Sequence, residues 1–485
     1  MMSTGSLENL RAKPNEFTDD ARRTDLTVNQ TTDLITATDS ATMKRTFQRF
    51  TTPALVPDIL QSCLPGLSGT LYQITACTIL DAKLKKHLKP ASAIKSTLSV
   101  CYRLALRESS RRPSSEYLVY VKVFQGGRSV EAFHRLANEE TTDLNSSQTI
   151  IHVPELDMIV WRFPHDPALP HLRQLIDLDA VGAHLPSNGM TQLGLSGTPQ
   201  VLSNHVVNYR PEERCTIRYH LCDPNRGQTY TLFGKTFRTG EGQPLFERQE
   251  YFWNQSLANS DAMAVARPLG YSEHTHTVWQ LGVLGTPLLQ ILDSSNYEHY
   301  SRAISRGLAS LHTSDVAGLL THRPADHIAE IQKKLAKLSD AIPLLSRRLH
   351  ALGDELERIA PQPSAIPFCP IHWDFHIEQL LASQERVVFC DLDELIIGDP
   401  VQDLANFMVD LHFRNIDEQS KRLITAELYY AYRQQVEWNV PIERLAWHAR
   451  LQFINKAYRH YLRFAPGFED TVERILQLAE RGFSL

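Results

Sequence analysis

Two stretches of this chain pass through the same series of patterns a little over one hundred residues apart. The first, "LKPASAIKSTLSVCYRLAL", leads through a polar loop to "YLVYVKVF", which holds Lys122. The second, "YRPEERCTIRYHL", leads through "CDPNRGQ" to "YTLFGKTF", which holds Lys235. Both alternate apolar and polar residues with the period of two expected of strands packed on one face. Each is followed by a helical stretch and a further apolar segment, so that Val160-Trp161 matches Val278-Trp279 and Asp177 matches Asp293. A spacing this long indicates a duplicated small α+β unit, because solenoid repeats recur every ~20–50 residues.

Around these two units the texture changes. Residues 1–50 are rich in Thr, Asp, Asn and Arg and poor in large apolar groups, and read as a mobile polar arm. The first strand-rich unit is assigned to residues 51–195 and the second to residues 196–293. From residue 294 the chain is mainly helical to residue 485, beginning with Tyr300, Ile304, Leu308 and Leu311 at helical spacing. The short run "RVVFCDL" reads as a buried strand within that part.

A formal net charge of -5 gives no broad basic surface, which argues against a nucleic-acid partner. Seven scattered cysteines form neither a disulfide framework nor a paired zinc motif, as expected in a reducing compartment. The opening residues lack an apolar signal core, and no run approaches the ~18 apolar residues of a membrane span. A cytoplasmic protein without a membrane partner is expected. The sequence leaves its oligomeric state open.

The chemistry is concentrated in "CPIHWDFHIEQLL", residues 369–381, and "RVVFCDLDELIIGDPVQDLANF", residues 386–407. Phosphoryl transfer needs a carboxylate that orients a hydroxyl, a second carboxylate and an amide oxygen for magnesium, and a lysine on a separate lobe for the nucleotide phosphates. The protein-kinase spacing H-R-D-x-x-x-x-N is met by His372, Trp373, Asp374 and, in the asparagine position, Gln379. Asp391 then ends a strand. Zinc binding by His372 and His376 is the rival reading, although a hydrolytic site needs further ligands from separate strands. Asp393 and Glu394 lie near enough to assist with a metal and otherwise form a solvated turn.

"HWDFHIEQLL" followed by "CDLDELIIGDPVQDLANF" resembles the aminoglycoside phosphotransferase and choline kinase-like superfamily. There H-G-D-x-H-x-x-N precedes a short strand, I-D-[WF]-[ED] and G-D-P-x-x-D-L-A. The resemblance covers roughly residues 200–410 and is strongest in residues 372–406. It implies an α+β, protein-kinase-like two-lobed fold, with an additional N-terminal copy of the β-rich small lobe if the repeat holds. It also implies an ATP- and Mg²⁺-dependent phosphotransferase acting on a hydroxyl of a small molecule such as a sugar, amino sugar or amino alcohol. Asp374 would be the base, Gln379 and Asp391 the magnesium ligands, and His372, Asp399 and Asp403 supports of the loop. Two departures stand out: Trp373 replaces a small glycine, and Gln379 replaces asparagine, as in maltokinase-like members.

On the nucleotide side, Lys235 lies in a strand ahead of the helical part, as a phosphate-binding lysine requires. Glu247 or Glu250, in the amphipathic stretch that follows, is the expected carboxylate partner. No glycine-rich loop lies between the first two strands; "YRPEER" offers Arg210 and Arg214 to phosphate or to solvent. "VWQLGVLGTPLL" matches the family's hinge, where backbone groups at Gln280 and Gly282 would pair with adenine and Gly285 would let the chain turn. The histidines of "SEHTHTVW" read as the solvent face of a strand. Lys122, in the first copy, is expected to be exposed or vestigial. A pseudokinase-like binding module and a zinc hydrolase are the competing functional classes.

Overall fold

The computed structural model describes residues 40–64, 72–88, 94–108, 115–139, 150–195, 197, 199–363, 367–384 and 386–482. Residues 1–39 of the expected arm lie outside these. Residues 40–50 are helical: in α1 (Ser40–Phe50), Met43, Phe47 and Phe50 recur at helical spacing and are buried. Phe47 meets Phe464 edge-on with ring centroids 6.4 Å apart, Thr51 Oγ1 donates to the Phe464 carbonyl at 2.9 Å, and Lys44 pairs with Glu469. The arm is therefore shorter than its composition suggests, because three apolar residues on one face are enough to dock its end.

After α2 (Val56–Cys63) comes the first sheet: β1 (Tyr72–Leu88), β2 (Ile94–Glu108), β3 (Ser115–Val123), α3 (Ser129–Glu139), β4 (Ile150–Val153) and β5 (Met158–Arg162). Its strand order is β1-β2-β3-β5-β4, antiparallel throughout. Two short helices follow, α4 (Leu172–Ile176) and α5 (Ser187–Gln192). The second sheet comprises β6 (Gln200–Arg210), β7 (Arg214–Cys222), β8 (Thr229–Phe237), β10 (Pro268–Ser272) and β11 (Thr277–Leu281), with α6 (Gly242–Ala258) and the two-residue β9 (Ala264–Val265) between β8 and β10. Its order is β10-β11-β8-β7-β6. Both sheets thus run hairpin, third strand, helix, then two strands of which the last returns beside the third. Lys122 and Lys235 each sit on the third strand, opposite Ile159 of β5 and Val278 of β11. The Val-Trp pairs matched in the sequence are one residue out of register with those lysines.

Packing moves one boundary. Leu172, Leu175 and Val181 are buried in a cluster with Cys215, Ile217 and Tyr219 of the second sheet. The α4–α5 segment therefore belongs to the second unit's core, and that unit begins well before residue 196. The histidines of "SEHTHTVW" are not on a strand: His274 and His276 occupy the turn between β10 and β11, where His276 has a φ of 48°.

The remaining elements are β12 (Thr286–Pro287), α7 (Leu288–Ile291), α8 (Tyr297–His312), α9 (Pro324–Ala341), α10 (Ser346–Arg358), β13 (Cys369–Ile371), β14 (Leu380–Ser383), β15 (Arg386–Phe389), β16 (Ile396–Gly398), α11 (Val401–His412), α12 (Glu418–Gln435), α13 (Ile442–Arg463) and α14 (Phe468–Arg481). The fold is α+β, with two antiparallel sheets ahead of a helical lobe. α11 is buried almost all round, from Val401 to Leu411, so it forms the centre of this lobe. The parallel pairing of β15 with β9 ties the helical lobe to the second unit, and β13 pairs with β16. β1 packs against α13, which brings the first sheet over the same lobe. Tyr429 and Trp447 of the C-terminal helices are core: Tyr429 Oη donates to the Val440 carbonyl at 2.8 Å and Trp447 Nε1 to the Leu356 carbonyl at 2.9 Å. Among the described residues no helix is long and apolar enough to cross a membrane.

Candidate active site

The loop between β13 and β14 carries Asp374, and a buried carboxylate shapes it. Asp403, near the start of α11, accepts the His372 N–H at 2.6 Å and the Trp373 N–H at 2.9 Å. His312 Nε2 lies 3.1 Å from the same carboxylate, and His312 Nδ1 lies 2.7 Å from Tyr432 Oη. The His372 ring is buried, with Nε2 3.2 Å from the Cys390 carbonyl, so it fixes the strand end that carries Asp391. Among the described residues no group of three or more His, Cys, Asp or Glu side chains is placed to hold a metal ion, as a zinc site would require. Asp399 accepts the Val401 N–H at 3.0 Å and lies 3.0 Å from His448 Nε2, which holds the start of α11.

Trp373 adopts a φ of 71°, the left-handed conformation that favours glycine. The tryptophan therefore keeps the turn of the glycine it replaces, at a strain of roughly 1–2 kcal/mol. Its ring packs against His322 and His327, with centroids 4.6 and 5.1 Å away. Those contacts offset the strain and place an aromatic wall next to Asp374. The Asp374 carboxylate is partly exposed, 3.3 Å from Arg459 Nη2 and 3.9 Å from His376 Nε2. Burial pushes the His376 imidazole below its ordinary value despite Asp374 beside it.

Gln379 is 6% exposed, and its amide oxygen Oε1 is buried with no hydrogen-bond partner. An orphaned buried acceptor is costly unless something fills it. In the same cleft Asp391 has a φ of 61°, and Lys235 Nζ lies 2.6 Å from its Oδ1 and 2.6 Å from Asp393 Oδ2. Arg214 Nη1 also donates to Asp393, at 2.6 Å. Burial opposes ionisation of Asp391, but Lys235 and then Arg214 outweigh it and hold this carboxyl below the usual range. Burial, with Asp391 adjacent, keeps Asp393 above it. The donor set of one carboxylate and one unpartnered amide oxygen fits a hard divalent cation such as Mg²⁺.

Several expectations need correction here. Neither Glu247 nor Glu250 partners Lys235: both are exposed, and Glu247 accepts from Gln243 instead. The face of α6 turned to the site presents Arg248, whose charge lies near Asp393. The carboxylate comes from Asp393, which is not a solvated turn residue, since its side chain is only 7% exposed. Of the backbone groups expected to meet adenine, the Gly282 N–H is already taken, donating to the Thr231 carbonyl at 2.7 Å, while the Gln280 side chain accepts from Gln249 at 2.7 Å. Gly285 is needed for close approach, because a Cβ there would lie 2.7 Å from the Ala382 carbonyl oxygen.

The "YRPEER" turn is built rather than solvated. Arg210 is exposed at its edge, and Arg214 is occupied by Asp393. Glu212, at a φ of 64°, accepts two bonds of 2.7 Å from Lys122 and one of 3.2 Å from Tyr120 Oη, while its N–H donates to Asp166 at 2.8 Å. Lys83 adds a 2.9 Å bond to Glu213. Lys122 is thus not exposed but half-buried, and it fixes the β6–β7 turn. Spacing could not show this, because the contact spans ninety residues.

A strand lysine facing a strand-end aspartate, beside an H-x-D loop held by a buried carboxylate, is the set of groups that phosphoryl transfer from a nucleotide requires. Residues 218–438 match the APH model of the phosphotransferase enzyme family. No curated protein matches. Among solved structures the chain is similar to an aminoglycoside-3'-phosphotransferase of type VIII (18% identity, 55% of this chain and 98% of that one, TM-score 0.37). It is also similar to the AMP-bound spectinomycin phosphotransferase APH(9)-Ia (13% identity, 63% and 93%, TM-score 0.42). A third is a choline/ethanolamine kinase family protein from Mesorhizobium loti (16% identity, 62% and 95%, TM-score 0.37).

Proposed function

We propose that this protein transfers the γ-phosphoryl group of ATP, with Mg²⁺, to a hydroxyl of a small molecule. The observation that carries the reading is the buried, unpartnered Gln379 Oε1, beside Asp391 with its Lys235 partner and on the same loop as the partly exposed carboxylate of Asp374. Asp374 accepts the proton of the acceptor hydroxyl as its oxygen bonds to phosphorus and the bond to the leaving ADP breaks. Gln379 Oε1 and the Asp391 carboxylate are the groups that would hold Mg²⁺, which when bound neutralises charge on the phosphate oxygens. Lys235, now neutralising Asp391 and Asp393, brings the positive charge that a nucleotide phosphate would share. The pinned Glu212 turn supplies a fixed edge in place of a mobile glycine loop. On this reading the first sheet is a copy of the second that has given up nucleotide chemistry and supports that turn.

The test is Mg²⁺-dependent ADP release across a panel of sugars, aminoglycosides, amino alcohols and sugar acids, with Asp374→Ala as control. Acceptor-dependent release lost in the variant supports the reading. Nucleotide binding without turnover of any acceptor would instead identify a pseudokinase-like module.

A further inference from the structure

A cavity of about 1070 Å³ lies between the first sheet, the β6–β7 turn and the helical lobe, and opens onto Asp374. Its lining includes Gln379, Asp391 and Arg214 but not Lys235, Gln280 or Gly282, so it takes in the catalytic loop and the candidate metal ligands without reaching the hinge. Its walls carry ten Lys or Arg side chains against seven Asp or Glu, in a chain whose formal net charge is -5. The surplus is therefore local. Lys122, Arg210 and Arg214 belong to the β6–β7 turn and its support, whereas Lys334, Arg459 and Arg463 belong to the helical walls.

Pairing within the cavity sharpens the bias. Glu212 and Glu213 are bonded to Lys122 and Lys83, Glu330 lies 3.8 Å from Lys334, and Asp374 lies 3.3 Å from Arg459. An ammonium group entering here would compete with these cations, and an anion at Lys334 or Arg459 would compete with Glu330 or Asp374, whose contacts, at 3.8 and 3.3 Å, are the longest of the four pairs. On the α9 and α13 walls Lys334 and Arg459 are joined by Arg463, which also lines the cavity. Lys334 donates to Asn455 Oδ1 at 2.7 Å. Burial, with Arg459 nearby, pushes its ammonium below the ordinary value despite Glu330, so an incoming negative charge would relieve it. The same walls carry the carboxamides of Gln402, Asn406, Gln452 and Asn455, suited to hydroxyl groups.

Resting on the phosphotransferase reading above, we infer that the acceptor is a polyhydroxylated molecule of sugar size bearing an anionic group, carboxylate or phosphate, received by Lys334 and Arg459. A cationic amino sugar is the wrong charge for this cavity.

The test measures binding first, without ATP, by calorimetry on the full chain. Gluconate is the carboxylate probe, glucose 6-phosphate the phosphate probe, and glucose and glucosamine the neutral and cationic controls. The expected result is at least tenfold tighter binding of one anionic probe than of glucose, with glucosamine weakest. The preference should fall at least fivefold in Lys334→Met and in Arg459→Met, each checked for an intact melting transition. The arm that binds names the anion. Equal or tighter binding of glucose or glucosamine overturns the inference, as does a preference unchanged in both variants. ADP release is then read separately: anion-selective binding without turnover counts against the kinase reading and leaves the acceptor assignment standing. Turnover of neutral or cationic acceptors with equal kcat/KM does the reverse.

Discussion

Replacing Asp403 with asparagine tests how the catalytic loop is held. Three donors converge on this fully buried carboxylate: the N–H groups of His372 and Trp373 and His312 Nε2, at 2.6, 2.9 and 3.1 Å. Asparagine is nearly isosteric but has one oxygen and an NH₂ group. If its oxygen takes the position shared by His372 and His312, the NH₂ faces the Trp373 N–H, donor against donor. One buried N–H then loses its partner, at about 1–3 kcal/mol, and two charge-assisted bonds become neutral, at about 1 kcal/mol more. The expected loss is ~3 kcal/mol, which in a unit the size of the helical lobe lowers Tm by about 6–12 °C. Because Asp374 directly follows Trp373, whose N–H is freed, kcat should fall further than the nucleotide KM rises. Thermal unfolding and steady-state kinetics measure both. A variant melting within about 2 °C of the parent, with unchanged kcat, would show that this carboxylate does not shape the loop.

Three further outcomes follow from the geometry. Lys122→Met removes two 2.7 Å bonds to Glu212, so the nucleotide KM should rise about tenfold, equivalent to ~1.4 kcal/mol, with a smaller change in kcat and partial rescue by Lys122→Arg. Gln379→Ala removes the unpartnered buried oxygen and should raise the Mg²⁺ concentration for half-maximal activity by about tenfold, while Tm holds or rises; an unchanged Mg²⁺ titration counts against its ligand role. His327 is buried, and burial, then His448, His322 and Lys334, depresses its pKa well below 6.5. A depressed folded value makes its stabilising contribution complete above the unfolded pKa and lost as pH falls towards the folded one. Melting temperature should therefore drop as pH falls from about 6.5, with a shallower slope in His327→Gln.

Much of the site could be read in the sequence because its core is local. Asp374, Gln379 and Asp391 come from one loop and the strand pair after it, and Lys235 from a strand with period-two patterning. The roles of Asp393, Glu212 and Lys122 could not be read, because each is decided by a partner far along the chain: Lys235, Lys122 and Glu212. Glu247 or Glu250 was expected to partner Lys235 from its place in the amphipathic stretch, but α6 turns Arg248 toward Asp393 instead. The α1 helix illustrates the same limit, since Phe47 acquires its burial from Phe464, more than four hundred residues away.

The central claim is that Asp374 directs phosphoryl transfer from Mg-ATP to a small hydroxylated acceptor. Phosphorus NMR of Mg-ATP with the parent protein and the acceptor panel tests it most directly. The expected result is a new phosphomonoester signal growing as the γ-phosphate signal declines, absent with Asp374→Ala and absent without Mg²⁺. A signal that persists in Asp374→Ala, or γ-phosphate appearing only as free phosphate whichever acceptor is present, would contradict the account.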